Sequence, residues 1–195
     1  MHTVTTLLDA DDSLFVVIDV QDKFLQRLDQ DTADKVVERI CWLAQVANWL
    51  DIPTIVTAEE VDVVGPTNEK VRSCVAAESQ DLNKVVFGLA GQRDILQKAN
   101  DTERKTAVLA GLETDVCVLQ SALGLAGEGF RVAVVSDACA SPQRGHEHGL
   151  ARLRDAGITL VSTKGLFFEW VRDLETCHTF FRASGIGTPE GLYIG

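Results

Sequence analysis

The chain has 195 residues, 46% of them hydrophobic and 24% charged, which is the size and make-up of one globular domain and excludes a disordered chain or a coiled coil. Its 29 acidic residues outnumber 18 basic ones, for a formal charge of −11, so the average surface repels phosphate backbones and anionic lipid. Neither nucleic acid nor a membrane is therefore an expected partner. No apolar run approaches the roughly 20 residues of a membrane span. The opening Met1-His2-Thr3-Val4 lacks the basic and then apolar segments of a secretory signal, and a cytoplasmic location is expected.

Short β-branched runs alternate with longer amphipathic stretches along the whole chain. The first, 14–18 (Leu-Phe-Val-Val-Ile), is continuously apolar, as in a central strand buried on both faces, and it ends at Asp19. Apolar positions at helical spacing predict a helix over 34–50, stopped by Ile52-Pro53. Residues 54–57 predict a second strand, 84–87 (Lys-Val-Val-Phe) a third, and 106–110 a fourth. A helix over 115–127 follows, with Thr114 as its expected N-cap. A fifth strand over 131–136, a helix over 143–155, a sixth strand over 158–161 and a last amphipathic segment over 166–181 complete the pattern. From about 185 a glycine-rich arm or tail is expected.

Six strands with intervening helices predict one α/β domain over residues 1–195. It is a doubly wound, six-stranded, mostly parallel sheet with helices on both faces. Ligands in such sheets bind at the carboxyl ends of strands, near the point where strand order reverses. The turn after the first strand, Asp19-Val20-Gln21-Asp22, has no glycine, so the GxGxxG of a dinucleotide site is missing. A P-loop and a GxSxG nucleophile elbow are also absent. The histidines of His146-Glu147-His148 are two residues apart and so fall on different sides of a helix, a poor metal clamp. Cys41, Cys74, Cys117, Cys139 and Cys177 are odd in number and irregularly spaced, unlike a disulfide framework.

Gly111-Leu112-Glu113-Thr114-Asp115-Val116-Cys117-Val118 places a thiol in the first turn of a helix leaving a central strand. The helix dipole there favours the thiolate and predicts a lowered thiol pKa. A small buried apolar cysteine is the plain alternative. Asp19 ends a strand where a carboxylate is costly unless paired or functional, and it meets Cys117 if the first and fourth strands are neighbours. Lys84 by itself reads as a solvated lysine.

This set resembles the isochorismatase-like cysteine hydrolase superfamily over nearly the whole chain. Asp19-Val20-Gln21-Asp22-Lys23-Phe24 is similar to its D-x-Q-x-x-F opening, and Gly111 to Val118 to its G-x-x-T-[DE]-x-C-V nucleophile motif. Val135-Ser136-Asp137-Ala138 is similar to the V-x-D-A ending of the next strand. The resemblance implies a Cys117-Asp19-Lys84 triad, a cis peptide between Leu112 and Glu113, and an oxyanion hole made by the N–H groups of Glu113 and Cys117. It also implies a homo-oligomer. Nicotinamidases of the superfamily carry histidines for zinc, whereas this chain has none between 3 and 145, which argues against a bound metal and against nicotinamide. The better match is the branch of isochorismatase domain-containing proteins.

The expected activity is metal-independent hydrolysis of a small amide or carbamoyl C–N bond through a thioester-type intermediate, with no cofactor. Gln21, Phe24, Glu59 and Phe87 are candidate pocket residues. Glu59, Glu60 and Asp62 could recognise a cationic substrate or form a solvated loop, and Phe24 and Phe87 could equally be core. Two alternatives stay open: a non-catalytic oligomeric binding or scaffold member of the fold, and a redox-sensing thiol protein.

Overall fold

In this computed structural model, which describes residues 6–77 and 79–194, strand β1 (Ser13–Ile18) is buried along its whole length. The opening residues 1–4 weighed above lie outside the described residues. In chain order there follow α1 (Asp22–Leu25), α2 (Gln30–Trp49), β2 (Thr54–Glu59), α3 (Val61–Val64), α4 (Glu69–Cys74), β3 (Asp81–Lys84) and α5 (Arg93–Asp101). Then come β4 (Thr106–Leu112), a π-helical turn (Thr114–Val118), α6 (Leu119–Gly127), β5 (Arg131–Ala140), α7 (Gly145–Asp155), β6 (Thr159–Val161), α8 (Thr163–Val171) and α9 (Leu174–Ala183). Among the described residues no helix is long and apolar enough to cross a membrane.

All the strands pair in parallel, in the order β3-β2-β1-β4-β5-β6. Alternate residues of β1 face two separate cores, Phe15 and Val17 on one side, Leu14, Val16 and Ile18 on the other. The first core is closed by α2, α4, α8 and α9 and is rich in aromatic rings. Trp42 lies 5.0 Å from Phe167, and Phe167 5.3 Å from Phe180. The buried Trp170 donates its indole N–H to Ser13 Oγ at 3.0 Å. The second core is closed by α5, α6 and α7.

Several expected boundaries move. The third strand is Asp81–Lys84 rather than 84–87, because the chain leaves the edge of the sheet at Lys84; Val85 and Phe87 are 65% and 54% exposed. The last amphipathic segment is two helices, broken at Arg172 (φ 64°) and restarted by Asp173, whose side chain accepts the N–H of Thr176. Thr114 is not an N-cap. Glu113 holds that position without a side-chain cap bond, and the chain enters a π turn before α6 begins. From Gly185 the described residues form no helix or strand and are mostly exposed, with Leu192 buried in the aromatic-rich core.

Candidate active site

The strand order reverses between β1 and β4, which grow away from each other in the two halves of the sheet, and the site forms at that point. Register brings its members level. Ile18 lies opposite both Thr57 and Gly111, and Glu59 lies opposite Lys84. The residues just beyond these pairs share one end of the sheet. A Cβ on Gly111 would lie 2.1 Å from the Ile18 carbonyl oxygen, so the close approach of β4 to β1 requires glycine, whose φ here is +134°. The β4–β5 register also shifts there, setting Gly111 opposite Cys139.

Asp19 follows β1 with φ 49°, a left-handed conformation that aspartate tolerates better than most residues, and its side chain is fully buried. Thr57 donates its hydroxyl to Asp19 Oδ1 at 2.8 Å. The Lys84 ammonium lies 2.8 Å from Asp19 Oδ2, donates to the carbonyl of Val86 at 2.7 Å, and is also fully buried. Two charges taken out of water need such close compensation. The same ammonium is 3.7 Å from Cys117 Sγ and 3.8 Å from Glu59 Oε2. Cys117 Sγ in turn lies 3.5 Å from Glu59 Oε2.

Cys117, Asp19 and Lys84, three residues from three different strand ends, are thus brought together. Glu59 joins them. Of the three acidic residues in 59–62, it is the one that turns inward; Glu60 and Asp62 stay exposed. Asp19, Glu59 and Cys117 offer ligand atoms within 4.8 Å of one another, a set that could receive a metal ion. The Lys84 ammonium touches all three, so the cation among these ligands is already supplied by the chain.

Gln21 is fully buried and holds both backbone groups of Glu59, donating to its carbonyl at 2.8 Å and accepting its N–H at 2.8 Å; it also donates to the Gly65 carbonyl. It is therefore a brace for the β2 end. Phe24 is buried in the aromatic-rich core with Arg27 stacked 4.7 Å over its ring, which makes it packing rather than an open wall. Phe87 stands largely in solvent.

The nucleophile turn is braced from behind. Thr114 Oγ1 and His146 Nδ1 are 2.9 Å apart, and Ser141 donates to Asp115 Oδ1 at 2.7 Å. The Leu112–Glu113 peptide is cis. The sequence carries no signal for Thr57 and Ser141, because a threonine in a strand and a serine after one reveal nothing until register shows their partners; Thr114 and His146 serve as a brace rather than as the N-cap and the weak metal clamp their positions suggest.

Burial pushes the Asp19 carboxyl above its ordinary 3.8, with Lys84 and the hydrogen bond from Thr57 opposing the rise. Burial and then the Asp19 charge push the Cys117 thiol well above its ordinary 9.0. This reverses the lowered thiol pKa expected from the helix dipole: desolvation and adjacent carboxylates outweigh a partial charge at a helix end. The site is also nearly closed, with Cys117 5% exposed. A cleft of about 560 Å³ beside Arg39, Asp137 and His146 lies outside it, and Cys117 does not line that cleft.

Residues 13–165 match the isochorismatase domain. The chain is 32% identical over 164 residues to isochorismatase domain-containing protein 2 of Bos taurus, covering 83% of this chain and 76% of that one. Among solved structures it is similar to YcaC from Pseudomonas aeruginosa, solved with hexane-2,5-diol and covalent acrylamide, at a TM-score of 0.85, 25% identity and coverage of 93% and 91%. The fold is shared with YcaC of Escherichia coli, described as an octameric hydrolase of unknown specificity, at a TM-score of 0.82, 24% identity and coverage of 92% and 91%. With its sheet order, its Cys117 turn and the matched span in agreement, the chain belongs to the isochorismatase family.

Proposed function

We propose that this protein is a cysteine hydrolase that cleaves the C–N bond of a small amide or carbamoyl compound, with Cys117 as nucleophile, Asp19 as acid and base, and Lys84 as the fixed cation. The observation that carries the reading is the mutual contact of thiol, buried carboxylate and buried ammonium at the switch point of the sheet. A scaffold has no use for a lysine and an aspartate both buried beside a thiol, since such groups are expensive to desolvate.

Cys117 sulfur attacks the carbonyl carbon as its proton passes to Asp19. A base of raised pKa suits a thiol whose own pKa burial also raises, because proton removal and attack can occur together. The N–H groups of Glu113 and Cys117 receive the negative charge that forms on the carbonyl oxygen. Collapse breaks the C–N bond, the leaving amine takes the proton back from Asp19, and a thioester remains. Water then attacks the thioester carbon while Asp19 takes its proton; the acid product leaves and the proton returns to sulfur. Lys84 holds Asp19 in its ionised form at the start of each half-reaction.

The covalent acrylamide on the similar Pseudomonas YcaC supports the reading, since acrylamide is an electrophile that thiols attack. The octameric description of the Escherichia coli protein supports a homo-oligomer here as well. The nearly closed site and the surplus of carboxylates favour a small substrate without phosphate.

A panel of small amides, carbamoyl compounds and hydroxamates, followed by ammonia or product release, tests the proposal. Release is expected to survive a chelator and to fall by at least about a thousandfold in Cys117→Ala. Turnover that persists in Cys117→Ala, or that the chelator removes, would overturn it.

A further inference from the structure

The hydrolytic scheme uses Cys117, Asp19 and Lys84 and leaves one ionisable group of the site without a task. We propose that Glu59 determines the specificity of this site: its carboxylate anchors a protonated nitrogen of the substrate, three bonds from the carbonyl under attack, and rejects substrates that carry a carboxylate there. The inference rests on the thiol reading above and adds a substrate class to it, amino-substituted amides.

Three observations converge on Glu59. Its backbone is clamped on both sides by the buried Gln21 amide, so the side chain projects from a fixed point. Its side chain is 19% exposed, whereas those of Asp19 and Lys84 are 0% exposed, so an arriving molecule meets Glu59 first. Charge also fails to cancel. Lys84 lies 2.8 Å from Asp19 but 3.8 Å from Glu59, so one ammonium faces two carboxylates and Glu59 is the less compensated of the pair. The formal charge of −11 over the chain reinforces the attraction for a cation.

The spacing sets the substrate. Glu59 Oε2 is 3.5 Å from Cys117 Sγ. A carbonyl carbon approaching sulfur at roughly 3–3.5 Å and an ammonium approaching the carboxylate at roughly 2.8 Å run side by side. Their separation is then close to the 3.5 Å between sulfur and oxygen. That is the reach of three covalent bonds, as in an amide bearing a β-amino group, whereas the two bonds of an α-amino group span only about 2.5 Å.

The test needs no identified substrate. Cys117 is modified with three small methanethiosulfonates that differ in charge, the 2-aminoethyl (cationic), methyl (neutral) and 2-sulfonatoethyl (anionic) reagents. Rates are read at the Cys117 peptide by mass spectrometry, in wild type, Glu59→Gln and Glu59→Asp. The cation-to-anion rate ratio is expected to fall by about tenfold or more in Glu59→Gln and to stay near wild type in Glu59→Asp, while the neutral reagent measures the change in thiol reactivity common to all three, which the ratio cancels. An equal ratio in wild type and Glu59→Gln, with Cys117 still reactive, overturns the role of Glu59 and leaves the thiol reading standing. A Cys117 that reacts with the neutral reagent no faster than the buried Cys139 overturns the thiol reading and this inference with it. Matching thermal unfolding of the variants shows that the fold is retained.

Discussion

Lys84 carries two burdens at the residue scale, holding the Asp19 charge and completing the electrostatics of a fully buried pair. Lys84→Met removes the group that opposes the burial of Asp19, so the Asp19 carboxyl should rise further. The acid limb of kcat/KM, which reports ionisation of the base, should then move to higher pH than in wild type, where it already lies above the ordinary carboxylate value of 3.8. The same change leaves a buried carboxylate unpaired. It should cost about 3–5 kcal/mol of stability at neutral pH. A raised carboxyl contributes stability that is present below its unfolded pKa and lost as pH rises through its folded one, so the deficit should shrink on acidification. Paired pH–rate profiles and urea titrations check both effects; an unmoved acid limb would remove Asp19 from the role of base. Much of this was legible in sequence, because Asp19 interrupts an apolar run and Cys117 stands in a specific motif. Lys84 alone was not, since a lysine at an edge strand is solvated unless the register with Glu59 turns it inward.

Among the elements, α7 meets the nucleophile turn through Gly145 and Gly149, four residues apart and therefore on one helix face. A Cβ on Gly149 would lie 2.8 Å from Asp115 N and 2.9 Å from the Thr114 carbonyl carbon. Glycine to alanine inside a helix ordinarily gains about 0.5–1 kcal/mol. Here overpacking against backbone should dominate, and Gly149→Ala should destabilise by about 1–3 kcal/mol while slowing modification of Cys117. Urea unfolding and the neutral thiol reagent measure the two; a stabilised variant with unchanged Cys117 reactivity would mean that α7 does not position the turn. Helix spacing and turn residues made α2, α7 and the strands readable from the sequence. The π turn, the early end of β3 and the break at Arg172 were not, because each depends on what the chain packs against rather than on local preference.

Over the whole molecule, burial has placed several thiols where ionisation is costly. Cys41 and Cys117 are pushed well above the ordinary 9.0, and Cys139 is pushed up to about 12, each chiefly by desolvation. Above pH 9.0 the unfolded thiols ionise while the folded ones keep their protons, so the folded state binds more protons and stability should fall as pH rises. The loss should reach about 1.4 kcal/mol per pH unit for each thiol. Lysines and tyrosine titrate in the same range, so the comparison is with Cys139→Ala, whose alkaline slope in urea titrations should be shallower by one thiol. Equal slopes would mean that Cys139 ionises as readily folded as unfolded.

The sequence by itself determined the class of fold, six strands with helices between them, because hydrophobic periodicity and β-branched runs are local properties that a parallel sheet must satisfy. It also marked Asp19 and Cys117, whose residue types are costly or reactive where they stand. The family resemblance named Lys84, and Glu59 and Gln21 stood as pocket candidates; the tertiary structure alone brought the Lys84 ammonium and the Glu59 carboxylate to the Cys117 sulfur, gave Gln21 its bracing bonds and set the burial that pushes the thiol upward. Those outcomes depend on strand register, burial and the distances between charges that lie far apart in the chain, and none of these quantities exists until β1, β2, β3 and β4 are aligned.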